Sequence, residues 1–332
     1  MISDKVEMRE LITLGGNGVL LHGTYHKPSG EAANGATGSP RNLGVMFLNA
    51  LSSPRSLVGD SGVYWATQFA ASGYPAFRFD LPGLGDSYGE IPNDLLRFTN
   101  EGGYAAVASA KTKELVNSRG LSGVVMFGHC AGATTAIYAA AGCSSECKGL
   151  ILMDPYFNLP KALTSSLRPE LVNWARRSRV GAVIRATYDR LREARGALRK
   201  GALPPNANFS LISRLKQVLS NGVPILILRA HQPAVLGEAQ LRARNFDYFA
   251  YIQSLAVRSN QFSIKELDGT DHSFANSEGR LAVWQHTEKW LRELFPQATA
   301  PSPLFEDQDF RVHERKPVVF GTRVPAHVTS GE

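Results

Sequence analysis

Short runs of consecutive apolar residues alternate along the chain with stretches in which apolar side chains recur every three or four positions. The runs predict β-strands at residues 10–14, 19–25, 43–48, 76–79, 124–127, 150–153, 225–228 and 262–267. The inner runs are apolar throughout, as expected of strands covered by helices on both faces. Between them, helical spacing marks Trp65 with Phe69, residues 104–116, residues 131–141 and residues 246–255. Val283, Trp284, Leu291 and Leu294 mark a last helix. This alternation predicts an α/β fold: a mostly parallel eight-stranded sheet with helices on both faces. Residues 157–220 carry no strand pattern. There Val180, Ile184, Leu191 and Leu198 with intervening arginines predict amphipathic helices, hence a helical lid inserted after the sixth strand. The core is then formed by 1–156 and 221–295, and a proline-rich tail occupies 296–332.

Composition narrows this little. The chain has 332 residues, 43% hydrophobic and 20% charged, ordinary values for a globular protein. No apolar run reaches the roughly 18 residues of a membrane span. Residues 1–7 lack a basic-then-apolar leader pattern, so a cytoplasmic enzyme without a membrane partner is expected. Three cysteines argue against a disulfide framework, and Cys143 with Cys147 lack a second ligand pair, so no metal site is expected. The distribution of charge is more informative. Between Lys161 and Lys216 thirteen Lys or Arg face three Asp or Glu, a local +10 in a chain of net +7. The excess positive charge is therefore confined to the predicted lid.

The chemistry centres on Gly128-His129-Cys130-Ala131-Gly132, at the end of the apolar run 124–127. A small-x-nucleophile-x-small sequence between strand and helix is a nucleophile elbow, whose glycines allow a sharp turn that lifts the central side chain clear of the sheet. A thiol at a helix N-terminus faces the positive end of the dipole and free N–H groups, which favour the thiolate.

Three segments in order, residues 77–87 (FRFDLPGLGDS), the elbow, and residues 269–274 (GTDHSF) after the last strand, make the chain resemble the α/β-hydrolase superfamily over about residues 10–295. Within it, the cysteine elbow followed by a helical lid is most similar to the hydrolases associated with exosortase systems and to the serine aminopeptidase-like group. The elbow alone also resembles those of dienelactone hydrolases and polyhydroxyalkanoate synthases. The resemblance implies Cys130 as nucleophile and His272 as its base, with His129, Asp80 and Asp86 in structural positions. It also implies an acid just after the seventh strand, where this chain has Gln232. Asp154, at the end of the sixth strand, is the preferred acid because a strand-end side chain is held rigidly; Glu238, further along the loop after the seventh, is the alternative, and a Cys-His dyad without an acid is the third option. His231 is left without a role. The oxyanion hole is expected to use the backbone N–H of Ala131 and one from Ala50 or Leu51, although Asn49-Ala50 stands where the family has His-Gly.

A thiolate nucleophile gives a thioester acyl-enzyme, which keeps acyl-transfer potential. The expected activity is a thioesterase- or esterase-type hydrolase without a cofactor; the alternatives are an acyltransferase or cyclase serving an amine, thiol or alcohol, and an inactive hydrolase-fold binding protein. The basic lid, with Arg176, Arg177 and Arg179, would suit an acyl substrate carried on an acidic carrier protein or coenzyme A. Arg-rich helices also suit nucleic acid, but no other feature resembles a nucleic-acid module, and none is expected as partner. The oligomeric state is left open.

Overall fold

The strands β1 (Arg9–Gly16), β2 (Val19–His26), β3 (Leu43–Leu48), β4 (Ala76–Phe79), β5 (Gly123–His129), β6 (Cys147–Met153), β7 (Ile225–Gln232) and β8 (Phe262–Asp271) coincide with the eight apolar runs. Several extend beyond them, because sheet pairing carries the backbone past the last apolar side chain. The computed structural model describes residues 9–16, 18–28, 42–159, 203–204, 206–232, 246–256 and 261–296. Most of the expected lid, with Arg176, Arg177 and Arg179, the stretch containing Glu238, and residues 297–332 of the tail lie outside the described residues.

The strands form one sheet in the order β1-β2-β4-β3-β5-β6-β7-β8. β1 pairs with β2, and β2 with β4, antiparallel; every pairing from β4 to β8 is parallel. Every residue of β3, β4 and β5 is buried, which explains their apolar sequence, interrupted only by Arg78 in β4 and His129 at the end of β5. The parallel strands deliver their carboxyl ends to one edge, where ligands bind in open α/β sheets.

Helices α1 (Ser61–Ala71), α2 (Leu95–Asn100), α3 (Ala105–Arg119), α4 (Ala131–Ala140), α5 (Phe209–Ser220) and α6 (Tyr248–Leu255) lie between strands, and α7 (Ser277–Leu294) follows β8. α4 is built from small residues and is buried along nine of its ten positions, so it lies close against the sheet. Asn208, Asp247 and Asn276 cap α5, α6 and α7 by accepting backbone N–H groups, the usual work of such side chains at a helix start. α5 corrects the expected lid boundary. Its Leu211, Ile212, Leu215 and Val218 are buried in the main core, so the core resumes before residue 209 rather than at 221. An amphipathic pattern is the same whether its apolar face meets a lid or a sheet-side helix.

Two buried charge networks brace the antiparallel side. Asp80 is fully buried and accepts from the Arg55 backbone N–H at 2.7 Å, the Arg55 guanidinium, Asn49 Nδ2 at 3.1 Å and the Asp86 N–H at 3.2 Å. Arg55 also reaches Asp86 at 2.6 Å. Beside it, buried Arg78 donates through Nε to His26 Nε2 at 3.0 Å. Burial and the adjacent Arg78 charge push His26 down to about 3, so the ring is neutral and can accept. Cys143 and Cys147 are buried, reduced thiols, and burial raises both, Cys143 to about 11.

Removing one partner of a buried ion pair leaves the other charge desolvated and uncompensated. Asp80→Asn is therefore expected to lower the unfolding free energy by roughly 3 kcal/mol, measured from the midpoint of guanidinium unfolding; an unshifted midpoint would show that Arg55 is not held by this charge.

Candidate active site

The elbow is enforced by close backbone contacts. A side chain at Gly132 would come within 2.6 Å of the Leu48 carbonyl oxygen and 2.7 Å of that of Asn49, and one at Gly128 would meet the Gly132 carbonyl. With only hydrogens there, β5 runs straight into α4 through Cys130, whose φ of 53° and ψ of −115° are strained for a non-glycine residue. The Cys130 N–H is tied to the Met153 carbonyl at 2.8 Å. The thiol is partly exposed at the first turn of α4.

The same contacts lay the loop after β3 on the start of α4. The N–H of Ala131 opens the helix and so has no partner within it. Ala50 and Leu51 follow in the loop, Leu51 with a φ of 49°. Asn49, the departure from His-Gly, is buried and structural: Nδ2 donates to the Ser53 carbonyl and to Asp80, and Oδ1 accepts from the Leu81 N–H. It fixes the loop to the Asp80 network.

His272 is brought to the thiol by the loop after β8. Asp271 Oδ1 accepts from Ser273 N at 2.9 Å, Ser273 Oγ at 2.6 Å and Phe274 N at 3.2 Å, folding the chain back on itself. The Ser273 hydrogen bonds hold the Asp271 carboxyl below its ordinary range. His129 supports the loop from beneath. Burial and the nearby His272 charge push this ring down to about 4, and its Nε2–H donates to the His272 carbonyl at 2.7 Å.

Asp154 stands at the end of β6 and meets His272 Nδ1 through Oδ2 at 2.8 Å. Its other oxygen accepts from the Ala230 N–H at 2.9 Å, and its own N–H donates to the Leu228 carbonyl at 2.8 Å. The carboxylate is thus locked to β7, although it follows directly on β6. Gln232 is paired in the sheet opposite Asp271. His231 lies on the exposed flank beside Glu266, 3.3 Å away. Sequence reasoning missed Tyr156, whose hydroxyl is 3.1 Å from Nδ1 and 3.3 Å from Nε2 of His272; its place two residues past a strand-end aspartate was the available signal.

Burial disfavours a charged imidazole, yet hydrogen bonds to Asp154 and Cys130, with the negative charge on both, outweigh it and raise His272 to about 9. At neutral pH the site can hold an imidazolium between a carboxylate and a sulfur. Such an arrangement can deliver a proton to a leaving group and take one from an incoming nucleophile. Among the described residues no cluster of three or more His, Cys, Asp or Glu could hold a metal, and no helix is long and apolar enough to cross a membrane.

Because the folded value of His272 lies above its ordinary 6.5, the stability it contributes is full below that pH and is lost as pH rises through about 9. The loss reaches roughly 3 kcal/mol at most. Asp154→Asn is expected to flatten this part of the stability–pH curve, read from urea unfolding at half-unit steps; parallel curves for both proteins would rule the pairing out.

The three-dimensional comparisons agree on the fold. The mouse alpha/beta hydrolase domain-containing protein 10 superposes with a TM-score of 0.52 at 12% identity, covering 86% of this chain and 99% of its own. An esterase from Pyrococcus furiosus gives 0.51 at 12% identity, with 86% and 91% covered. DcsB, solved with its substrate analogue, gives 0.51 at 15% identity, with 86% and 99% covered. No curated protein matches the chain in sequence. The sequence profile of the alpha/beta hydrolase family, however, matches residues 19–286. A match over most of the chain, on a sheet of the same architecture, makes it a member of the α/β hydrolase family.

Proposed function

We propose that this α/β hydrolase is an acyl-transfer enzyme of the thioesterase or esterase type, with Cys130 as nucleophile, His272 as acid and base, and Asp154 orienting the imidazole. The Cys130 sulfur attacks the carbonyl carbon of an ester or thioester, forming a C–S bond. The tetrahedral oxyanion is met by the Ala131 N–H and by one from Ala50 or Leu51. His272 Nε2–H protonates the departing alcohol or thiol as its bond to carbon breaks. Water then gives a proton to Nε2 and attacks the thioester carbon, and the sulfur leaves as thiolate with the acid released.

The observation that carries this reading is His272 Nδ1 held at 2.8 Å by Asp154, whose carboxylate is itself fastened to β7, while Asp154 and Cys130 together raise the imidazole. A structural histidine has no need of both partners. The partly exposed sulfur on a strained turn supports it further.

Incubation with p-nitrophenyl acetate and with an acyl-thioester surrogate, followed by intact mass, is expected to show one acyl adduct on the wild type and none on Cys130→Ala. A wild type that gains no mass from any donor would instead identify an inactive binding protein. Release only as free acid in the presence of millimolar amines and alcohols supports the hydrolase; capture by either identifies an acyltransferase.

The basic stretch between Lys161 and Lys216 supports docking of an anionic carrier, either an acidic carrier protein or the phosphates of coenzyme A. The double variant Arg176→Glu with Arg177→Glu, with Arg179 left in place, is expected to raise KM for carrier-bound donors about tenfold and to leave small neutral esters unchanged. Equal changes for both donor classes would remove the docking role.

A further inference from the structure

The segment after β6 delivers a third group to the imidazole. Tyr156 lies with its ring centroid 5.5 Å from that of His272 and the planes 27° apart, and its hydroxyl is within hydrogen-bond distance of both ring nitrogens. Nδ1 is held by Asp154 at the shorter distance of 2.8 Å. With Nδ1 taken by Asp154, Nε2 is the nitrogen left for Cys130, and the Tyr156 hydroxyl lies 3.3 Å from it. The chain around Tyr156 is anchored on both sides. Asp154 is tied to β7, Pro155 restricts the backbone, and Phe157 is buried with its carbonyl accepting from the Asn208 N–H at 2.8 Å.

We infer that Tyr156 is a positioning residue for His272, its hydroxyl taking over the Nε2 contact while the Cys130 sulfur carries an acyl group. This role rests on the acyl-enzyme reading above. In the resting site the Cys130 sulfur is the partner that faces the imidazole opposite Asp154. Acylation removes that partner twice over: the leaving group departs with the Nε2 proton, and the sulfur becomes part of a neutral thioester, a weak acceptor. Neutral His272, still giving Nδ1–H to Asp154, is left with a lone pair on Nε2. The phenol O–H donates to that lone pair and keeps the ring in place until water arrives. When water passes its proton to Nε2 and the C–S bond breaks, the same oxygen can accept from the new N–H. A hydroxyl serves both states because it donates and accepts, and Tyr156 gains or loses no proton over the cycle. The contact therefore matters in the second half-reaction.

The acyl-enzyme formed with p-nitrophenyl acetate can be followed by intact mass, its formation and its decay timed separately. Tyr156→Phe keeps the ring and is expected to form the acyl-enzyme within about twofold of the wild-type rate while its decay slows about fivefold, the effect of one lost hydrogen bond. Slowing of both steps by the same factor, or of neither, would overturn the role of Tyr156 alone, since the wild type would still acylate. Slow decay in Tyr156→Leu but not in Tyr156→Phe would also overturn it, by making ring packing the cause. A wild type that never gains the acyl group would overturn this role together with the acyl-enzyme reading.

Discussion

The site depends on how closely one helix can approach one loop. α4 begins against the carbonyls of Leu48 and Asn49, with no room for even a methyl group at Gly132. That approach forces the chain through a single strained residue, and it is what aims the Cys130 side chain away from the sheet. It also sets the Ala131 N–H beside the loop after β3. The strain is not confined to residue 130. The non-glycine residues with positive φ among the described residues are Leu51, Leu57, Asp60, Cys130, Asp154 and Phe274. All follow parallel strands at the carboxyl edge of the sheet, in loops around the candidate site. Each such residue costs on the order of 1–3 kcal/mol, so the surrounding structure must over-determine it.

The buried polar networks supply that constraint. Asn49 and Arg55 connect the loop after β3 to Asp80, and Asp80 connects it to the loop after β4. On the other flank, Asp154 joins β6 to β7, and His129 joins β5 to the histidine loop. The hydrogen bonds therefore cross between strands at the places where the backbone is least comfortable. The Arg78–His26 contact behaves differently. It needs a neutral histidine as acceptor, so its contribution is full above the ordinary histidine range and is lost as pH falls towards 3. The antiparallel side is thus sensitive to acid, and the His272 side to base.

The sequence made the strands legible because buried parallel strands read as unbroken apolar runs, and the elbow because its two glycines are sterically required. Asp154 could be shortlisted from its place at a strand end. That rigid place is also the reason to prefer it over Glu238, while the hydrogen bond to Ala230 that fixes the carboxylate lies across two strands and was beyond the sequence. Arg55 gave no warning, and Asn49 showed only as a departure from His-Gly; their roles appear once Asp80 is placed between them. α5 was assigned to the lid because hydrophobic periodicity reports that a helix has an apolar face and is silent on what covers it. Tyr156 was marked only by its place two residues past Asp154, since the return of the chain from β8 is what brings His272 to it.

The three cysteines differ in accessibility in a way that has an experimental use. Cys143 and Cys147 are sealed in the core, 2% and 1% exposed, with thiols resistant to ionisation, while Cys130 alone of the three reaches the surface. In the native state a fluorophore or spin label with thiol chemistry would therefore attach at one position without any engineered substitution. Labelling of the two core thiols would begin only when the sheet opens, so one reagent would report both on the nucleophile and on global unfolding.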